Sequence, residues 1–125
     1  MPDAYTELVN ELKALSQVID PTAEEPETVT LPVAEDEWRT RPDTVSYGLV
    51  SLDFETDQLN GDSIKLDASY EGSADLFSLA RNGAGWVPMI TGVLTKHCGS
   101  CWRLNSHTYE RETGLFHWEW VFEVQ

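Results

Sequence analysis

Residues 101–125 have the pattern of one β-hairpin, and this pattern constrains the fold more than any other part of the chain. In the second half of this segment apolar and polar residues alternate, as they do in a strand that buries only one face. We therefore predict a purely structural sheet with Trp118, Trp120 and Phe122 in the core. The apolar positions of this strand are Phe116, Trp118, Trp120, Phe122 and Val124.

A tight turn joins the two strands of this hairpin. Gly114 supplies the positive φ that the third position of a three-residue loop at 112–114 requires. A turn of this length sets the register, which we expect to place apolar residues opposite each other on one face and opposite charges on the other. The expected pairs are Leu104 with Phe122, Trp102 with Val124, Arg103 with Glu123, and His107 with Glu119.

The N-terminal third of the chain contains one helical pattern and one acidic stretch. Apolar residues recur at helical spacing from Tyr5 to Ile19, which predicts a first helix over residues 3–18. The following segment is rich in proline and acidic residues and has no clear periodicity. We interpret residues 20–43 as an acidic, Pro-rich connector inside a single domain, 1–125. It is either a solvated loop or a segment that becomes ordered against a neighbouring subunit.

Two strands are predicted in the middle of the chain. Residues 44–55 alternate, with a change of phase near Gly48 that suggests a β-bulge. A turn at 58–62 leads to an alternating stretch at 64–76, which is far longer than the usual strand of about five or six residues. Such a strand is expected to leave its own sheet and present an edge to a second subunit. We predict that a subunit interface or ring lumen contains three acidic residues of its polar side, Asp67, Glu71 and Asp75.

A second short helix begins near Trp86, and Pro88 is tolerated in its first turn. The resulting order is α-β-β-α-β-β, with no crossover of the doubly wound kind. We therefore predict an α+β fold: a mostly antiparallel four-stranded sheet, two helices packed on one face, and a long β-hairpin.

The charge of the chain limits its partners. There are 22 acidic and 8 basic residues, so the formal net charge is −14. Sequence-specific binding of duplex DNA is disfavoured because it needs clustered Lys and Arg to neutralise phosphates. An acidic surface can instead repel DNA, imitate it, or bind a basic protein. No apolar run approaches the length of about 20 residues that crosses a membrane, and two closely spaced cysteines fit a reducing cytosol.

The motif Cys98-Gly99-Ser100-Cys101-Trp102 matches the local signature around the nucleophile of papain-like cysteine proteases. The histidine and asparagine of that family lie more than about 100 residues downstream, whereas only 24 residues follow Cys101, and Thr95 occupies the position of its oxyanion-hole glutamine. We therefore predict no catalytic, cofactor-binding or metal-binding residues, and expect the cysteines to form a turn before a strand.

The cysteine pair matches two further kinds of site only incompletely. A thioredoxin-like redox pair sits at a helix N-terminus, whereas this pair is expected at a helix C-terminus, where the dipole does not stabilise a thiolate. A zinc site would need two of the available histidines, although their spacing fits no common finger. The candidate zinc ligands are His97, Cys98, Cys101, His107 and His117.

The phrase Y-E-G-S-A-D-L-F-S at 70–78 ends the long strand, and Y-E-R-E-T-G-L-F-H-W at 109–118 lies in the C-terminal hairpin. These two local phrases resemble those of tail-completion and tail-terminator proteins, small proteins at the head–tail junction of long-tailed bacteriophages. The N-terminal helix, the acidic connector and the order of elements are also similar to that family, so the resemblance covers most of the chain. The cysteine motif is not part of this pattern.

The resemblance implies a non-enzymatic virion protein that assembles into a ring, commonly a hexamer, needs no cofactor, and is present in the host cytoplasm during assembly. Such a ring caps the tail tube, stops its growth and joins the tail to the head connector. The implied partners are further copies of the chain, the tail tube protein and a connector or neck protein, while DNA passes through the lumen without specific binding. The alternatives are a neck or head-closure protein, a soluble acidic inhibitor or DNA mimic that binds a basic protein, and a small enzyme that uses Cys98 or Cys101.

Overall fold

The structure, a computed structural model, describes residues 3–59 and 65–124, with side chains described except at residue 3 and residues 54–69. It contains two α-helices, and a 3-10 turn precedes the second. The helices are α1 (Asp3–Lys13) and α2 (Trp86–Cys98). The strands are β1 (Ser16–Ile19), β2 (Glu27–Thr30), β3 (Val33–Glu35), β4 (Ser46–Leu59), β5 (Lys65–Ser78), β6 (Trp102–Glu110) and β7 (Leu115–Val124).

Within the described residues the main sheet has five strands, one more than predicted, in the order β3-β4-β5-β7-β6. Strands β4, β5, β7 and β6 are antiparallel, as predicted, and they include the two predicted hairpins. The short strand β3 adds to β4 in parallel, and β1 pairs with β2 in a separate two-stranded sheet. The predicted α+β class is confirmed, while β1, β2 and β3 were not predicted.

Both helices pack on one face of the main sheet, which we call the helix face. The apolar stripe of α1 and that of α2 meet residues of β4, β5 and β7 in one buried cluster. This cluster contains the three predicted core residues, Trp118, Trp120 and Phe122, whose side chains are at most 5 % exposed. An ion pair between Lys96 and Glu11 joins α2 to α1 at the surface. The buried stripe of the helices includes Tyr5, Leu8, Leu12, Trp86, Ile90 and Leu94.

The first helix is shorter than predicted, and the acidic connector is more ordered. Helix α1 ends at Lys13, and residues 16–19 turn away to form β1, with Val18 and Ile19 exposed. The helical spacing of Ile19 was coincidental, because β-branched residues at 18 and 19 favour a strand. Within 20–43, residues 27–30 pair with β1 and residues 33–35 pair with β4.

The predicted bulge in the first central strand is also misplaced. The register of β4 against β5 is regular at Gly48 and shifts between Leu52 and Phe54, so that Asp53 is the extra residue. The apparent change of phase near Gly48 arises because β4 has apolar residues on both faces here. Tyr47 lies on the face opposite the helices and is only 8 % exposed, because Trp38 and Phe77 pack against it.

The C-terminal hairpin has the predicted apolar face but a different register. The turn comprises four residues, 111–114, with Gly114 at φ +73°, and Trp102 pairs with Phe122 rather than Val124. A bulge at Asn105 then shifts β6, so that His107 pairs with Trp118 and not with Glu119. The expected pairs of Leu104 with Phe122 and of Arg103 with Glu123 are likewise wrong, because these residues lie opposite Trp120 and Val121. Neither of the described helices is long and apolar enough to cross a membrane.

Candidate assembly surface

The β4–β5 hairpin extends beyond the rest of the sheet. The pairing of β5 with β7 ends at Tyr70, opposite Val124, whereas the pairing of β5 with β4 continues to Lys65, opposite Leu59. Residues 54–59 and 65–69, which we call the ribbon, therefore pair with no other strand in the part of the chain that the structure describes. A two-stranded ribbon is marginally stable by itself in water. This long projection, predicted from the alternation, is suited to contact another molecule.

The ribbon leaves the sheet at a tightly packed point. Gly72 of β5 lies beneath the ring of Phe122, and a Cβ atom at this position would lie 2.6 Å from Phe122 Cζ and 2.5 Å from the carbonyl oxygen of Ser51. On β4, the bulge at Asp53 lies beside this contact and increases the local twist of the pair. The base of the ribbon is thus fixed by core packing.

The three acidic residues predicted for an interface or lumen have different surroundings. Glu71 is half-buried at the base of the ribbon. Asp67 belongs to β5, but its side chain lies outside the described residues. Asp75 is on the same side of the strand as Glu71, yet it is only 8 % exposed. The expectation that the Asp75 carboxylate is exposed is therefore wrong, because it is bonded to His117, one of several aromatic neighbours on this face.

These neighbours form a row across the face of the sheet opposite the helices, which we call the open face. The rings of Tyr47 and Phe77 stack with centroids 5.0 Å apart, and those of Phe77 and His117 stack at 4.1 Å. The ring of Trp38 packs edge-on against Tyr47 at 5.9 Å, and its indole N–H donates to the carbonyl of Gly48 at 2.9 Å. The rings of this row pack against one another and so bury this end of the open face, which lies opposite the described helices.

An ion pair of His117 lies beside this row. His117 Nε2 is 2.7 Å from Asp75 Oδ1, and His117 Nδ1 is 3.3 Å from Glu110 Oε2. The hydrogen bond to Asp75 and the negative charges of both carboxylates raise the pKa of His117, although burial opposes this. Protonated histidine donates from both ring nitrogens, which matches two acceptors. Sequence reasoning missed this pair because Asp75 and His117 lie 42 positions apart.

The other end of the open face is acidic. A cavity of about 420 Å³ is lined by the carboxylates Asp53, Glu71 and Glu123, with Arg103 as a basic residue. The guanidinium of Arg103 donates to Asn105 Oδ1 at 3.1 Å rather than to one of these carboxylates. Partial burial, and then the charges of nearby Asp75 and Glu119, raise the pKa of Asp53. The described residues therefore balance the negative charge of this cavity only in part. A cavity with excess negative charge is suited to bind a basic group.

An apolar groove of about 330 Å³ lies at the opposite end of β4 from the ribbon. Strands β1 and β2 form one wall, and the beginning of β4 and of α2 form the other. Two of its apolar residues are largely exposed, Ile19 at 52 % and Val45 at 54 %. The sequence did not predict this groove, because it depends on the unpredicted pairing of β1 with β2. Its other lining residues include Gln17, Val29, Leu31, Pro32 and Trp86.

The two cysteines are placed at the C-terminal end of α2, as predicted. Cys98 is buried in the last turn, and burial, followed by the proximity of Cys101, raises the pKa of its thiol to about 11. A nucleophilic or redox thiol needs a lowered pKa. The amide of Cys101 donates to the carbonyl of Cys98 at 2.9 Å, which closes the turn before β6.

The candidate zinc ligands do not converge. His107 stacks on Trp118 of the helix face with ring centroids 4.3 Å apart, whereas His117 binds Asp75 on the open face. The bulge at Asn105 separates the two histidines by reversing the phase of β6. Among the residues that the structure describes, no three His, Cys, Asp or Glu side chains are grouped to hold a metal ion.

Two comparisons with known proteins find no match for this chain. No protein-family model matches the chain, and a search of curated proteins finds no similar sequence. Its function is therefore inferred from its residues and geometry and from the resemblance of two short phrases.

Proposed function

We propose that this chain is a ring-forming tail terminator of a long-tailed bacteriophage, which caps the tail tube and joins the tail to the head connector. The observation that supports this most directly is the ribbon. It continues the β4–β5 pairing beyond the end of the β7 ladder and has no partner among the described strands. A non-enzymatic assembly protein accounts for such a projection, because a neighbouring subunit stabilises what the isolated domain leaves uncovered.

The two ends of β4 suit a head-to-tail contact. The ribbon lies at the end of this 14-residue strand and the apolar groove at its beginning, which are separated by roughly 40–45 Å at the usual rise per residue. A contact between two different surfaces is heterologous, and it produces a closed ring when the rotation between neighbours closes. In this arrangement the ribbon of one subunit reaches toward the groove of the next.

The charge of the chain also fits a channel through which DNA passes. With a net charge of −14, a ring of several copies repels phosphates rather than binding them. The acidic end of the open face, with Asp53, Glu71 and Glu123, is the described surface best suited to line such a channel or to meet a basic partner.

Deletion and complementation in the phage that encodes the chain test this function. Deletion should give tails of uncontrolled length or tails that fail to join heads, as seen by electron microscopy, and the intact chain should restore both. A variant in which residues 58–67 are replaced by Asn-Gly places the two-residue turn between the paired residues Asp57 and Ala68. It shortens the ribbon and should remain folded while failing to complement. Tails of normal length that join heads in the deletion strain would exclude a terminator.

A neck or head-closure protein is an assembly protein of the same class and is distinguished by the same images. Loss of the chain would then leave complete tails of normal length and open, unjoined heads. The position of an affinity label on purified particles, at the tail end or one layer nearer the head, gives an independent assignment.

The acidic cavity favours a second function of a different class, a soluble inhibitor or DNA mimic that binds a basic protein. Mimicry requires carboxylates that are not already neutralised, and Arg103 bonds to Asn105 rather than to the cavity carboxylates. An inhibitor would leave virion assembly intact when deleted and would co-purify with a basic host protein. Exchange of Asp53, Glu71 and Glu123 for the corresponding amides should abolish that binding.

A further inference from the structure

Strand β6 forms an open edge of the main sheet. It is nine residues long and contains no proline, and no described strand pairs with its outer side. The strand at the other edge, β3, has only three residues. Edges of proteins that stay monomeric are usually short, covered or interrupted, and the one interruption within β6 is the bulge at Asn105. Two apolar side chains of β6 are also exposed on the helix face, Leu104 at 47 % and Tyr109 at 54 %.

The charges of β6 lie at its two ends on the open face. Arg103 near the beginning pairs across the sheet with Val121, and Glu110 at the end pairs with Leu115. Arg103 has no carboxylate partner among the described residues and donates only to Asn105. Glu110 contacts His117 and Thr113 and retains acceptor capacity. The strand thus has a cation at one end and an anion at the other. Two copies of it that run antiparallel can therefore place each cation opposite an anion.

We propose that two copies of this chain pair antiparallel through β6, about a two-fold axis at His107. In this register Arg103 lies opposite the partner's Glu110, and Leu104 lies opposite the partner's Tyr109. Both contacts occur twice because of the symmetry. Ser106 lies opposite the partner's Thr108, and Asn105 is the unpaired bulge residue in each copy.

The bulge makes this register consistent with the faces of the sheet. Before the bulge Leu104 is on the helix face, opposite Trp120, and after it His107 and Tyr109 are on that face, opposite Trp118 and Phe116. Antiparallel neighbours must point to the same face. In the proposed register every pair meets this condition, because each bulge is spanned by two consecutive residues of the partner strand. A register centred on Ser106 or Thr108 also meets it but separates the two charges.

This contact is independent of the proposed ring. An isologous contact joins two copies and ends there, whereas the ring needs a heterologous contact that repeats. The pairing through β6 therefore describes a dimer of free subunits or a joint between two rings, and it applies equally if the chain is not a terminator.

Charge exchange tests the register in solution. Sedimentation velocity of the full chain at about 0.15 M salt, over a wide range of protein concentration, should show a reversible dimer. Arg103→Glu places like charges opposite each other twice and should weaken dimerisation by about tenfold or more. The double variant Arg103→Glu with Glu110→Arg should restore it. Arg111→Glu, in the turn beyond the strand, is the matched control and should change it little.

A wild-type chain that stays monomeric at the highest attainable concentration would overturn the inference. A double variant no stronger than Arg103→Glu, with circular dichroism like that of the wild type, would overturn the register, because restoration requires the two positions to face each other. Capture of a foreign strand by this edge would appear as the same negative result in the purified protein.

A disulfide provides a second test that does not depend on charge. In a Cys98→Ala and Cys101→Ser background, His107→Cys places two thiols across the axis, where opposed Cα atoms are about 4.5–5.5 Å apart and within disulfide range. An added mild oxidant, which accepts the two electrons, should yield a covalent dimer. Ser106→Cys is the control, since its Cα lies about 7–8 Å from the partner's Ser106 on the diagonal. Equal cross-linking of both variants would overturn the placement of the axis.

Discussion

His117 Nε2 lies 2.7 Å from Asp75 Oδ1, on the face of the sheet opposite the two described helices. Both side chains are mostly buried, with 19 % and 9 % of their surfaces exposed. The stacked ring of Phe77 covers the histidine from one side. This pair gives the open face a specific, charge-dependent contact that links β5 to β7.

Stability should fall as the pH rises past the ordinary range of histidine. Because hydrogen bonding to Asp75 raises the pKa of His117 in the folded state, the folded protein binds this proton more tightly than the unfolded chain does. The resulting stabilisation is fully present below about pH 6.5, the unperturbed value, and is lost as the pH rises through the raised value. Urea unfolding from pH 6 to 9 measures the effect, which should be much smaller in His117→Gln. Equal pH dependence in both proteins would contradict it.

Removal of the charge of buried Asp75 should cost more stability than removal of the charge of half-buried Glu71. Asp75→Asn replaces the charge-assisted bond of His117 and should lower the free energy of unfolding by about 1–3 kcal/mol near neutral pH. Glu71→Gln, on the same side of β5 but at the edge of an open cavity, should cost less than about 1 kcal/mol. Chemical denaturation of the two variants provides the comparison. An unchanged free energy of unfolding in Asp75→Asn would show that the ion pair is energetically unimportant.

The two cysteines should differ in reactivity. Burial raises the pKa of the Cys98 thiol to about 11, whereas Cys101 is exposed in the turn. In the native protein a maleimide should therefore label Cys101 and spare Cys98 until urea unfolds the chain. Cys101→Ser should leave stability within about 0.5 kcal/mol, and Cys98→Ser should cost about 1–3 kcal/mol, because it buries a hydroxyl. Mass spectrometry after timed labelling distinguishes the two sites.

Alternation in the sequence predicted the parts of the fold in which one face is apolar and the other polar. This applies to β7 and to the long β5. Helical spacing, in the same way, predicted the apolar stripe of α2. Alternation did not predict β1, β2 or β3, because strands of three or four residues are too short to show a periodicity of their own. The register of β6 could not be obtained either, since a single bulge at Asn105 exchanges the faces of all later residues.

The candidate surface was predictable only in part for a related reason. The length of β5 indicated a projecting ribbon, and the pairing confirms one. The polar side of β5 was expected to be exposed throughout, but Asp75 is buried beside His117. The ring of His117 belongs to an aromatic row with Phe77 and Tyr47 that is aligned across three strands. Such alignment depends on the register between strands, which one strand's sequence does not contain.

Gly72 should be the least replaceable glycine among those described in the sheet. A Cβ atom there would lie 2.5 Å from the carbonyl oxygen of Ser51 and 2.6 Å from the ring of Phe122, so the ring or the backbone at the base of the ribbon must move. Gly72→Ala should therefore destabilise the protein by about 1–3 kcal/mol, in the range of overpacked cores. The control is Gly92→Ala in α2, where a Cβ meets no atom within 4 Å and should stabilise the helix by about 0.5–1 kcal/mol. Thermal and urea unfolding should show lower stability for Gly72→Ala and higher stability for Gly92→Ala than for the wild type. If Gly72→Ala is as stable as the wild type, the close packing of Phe122 over β5 is wrong, and with it the fixed base of the ribbon.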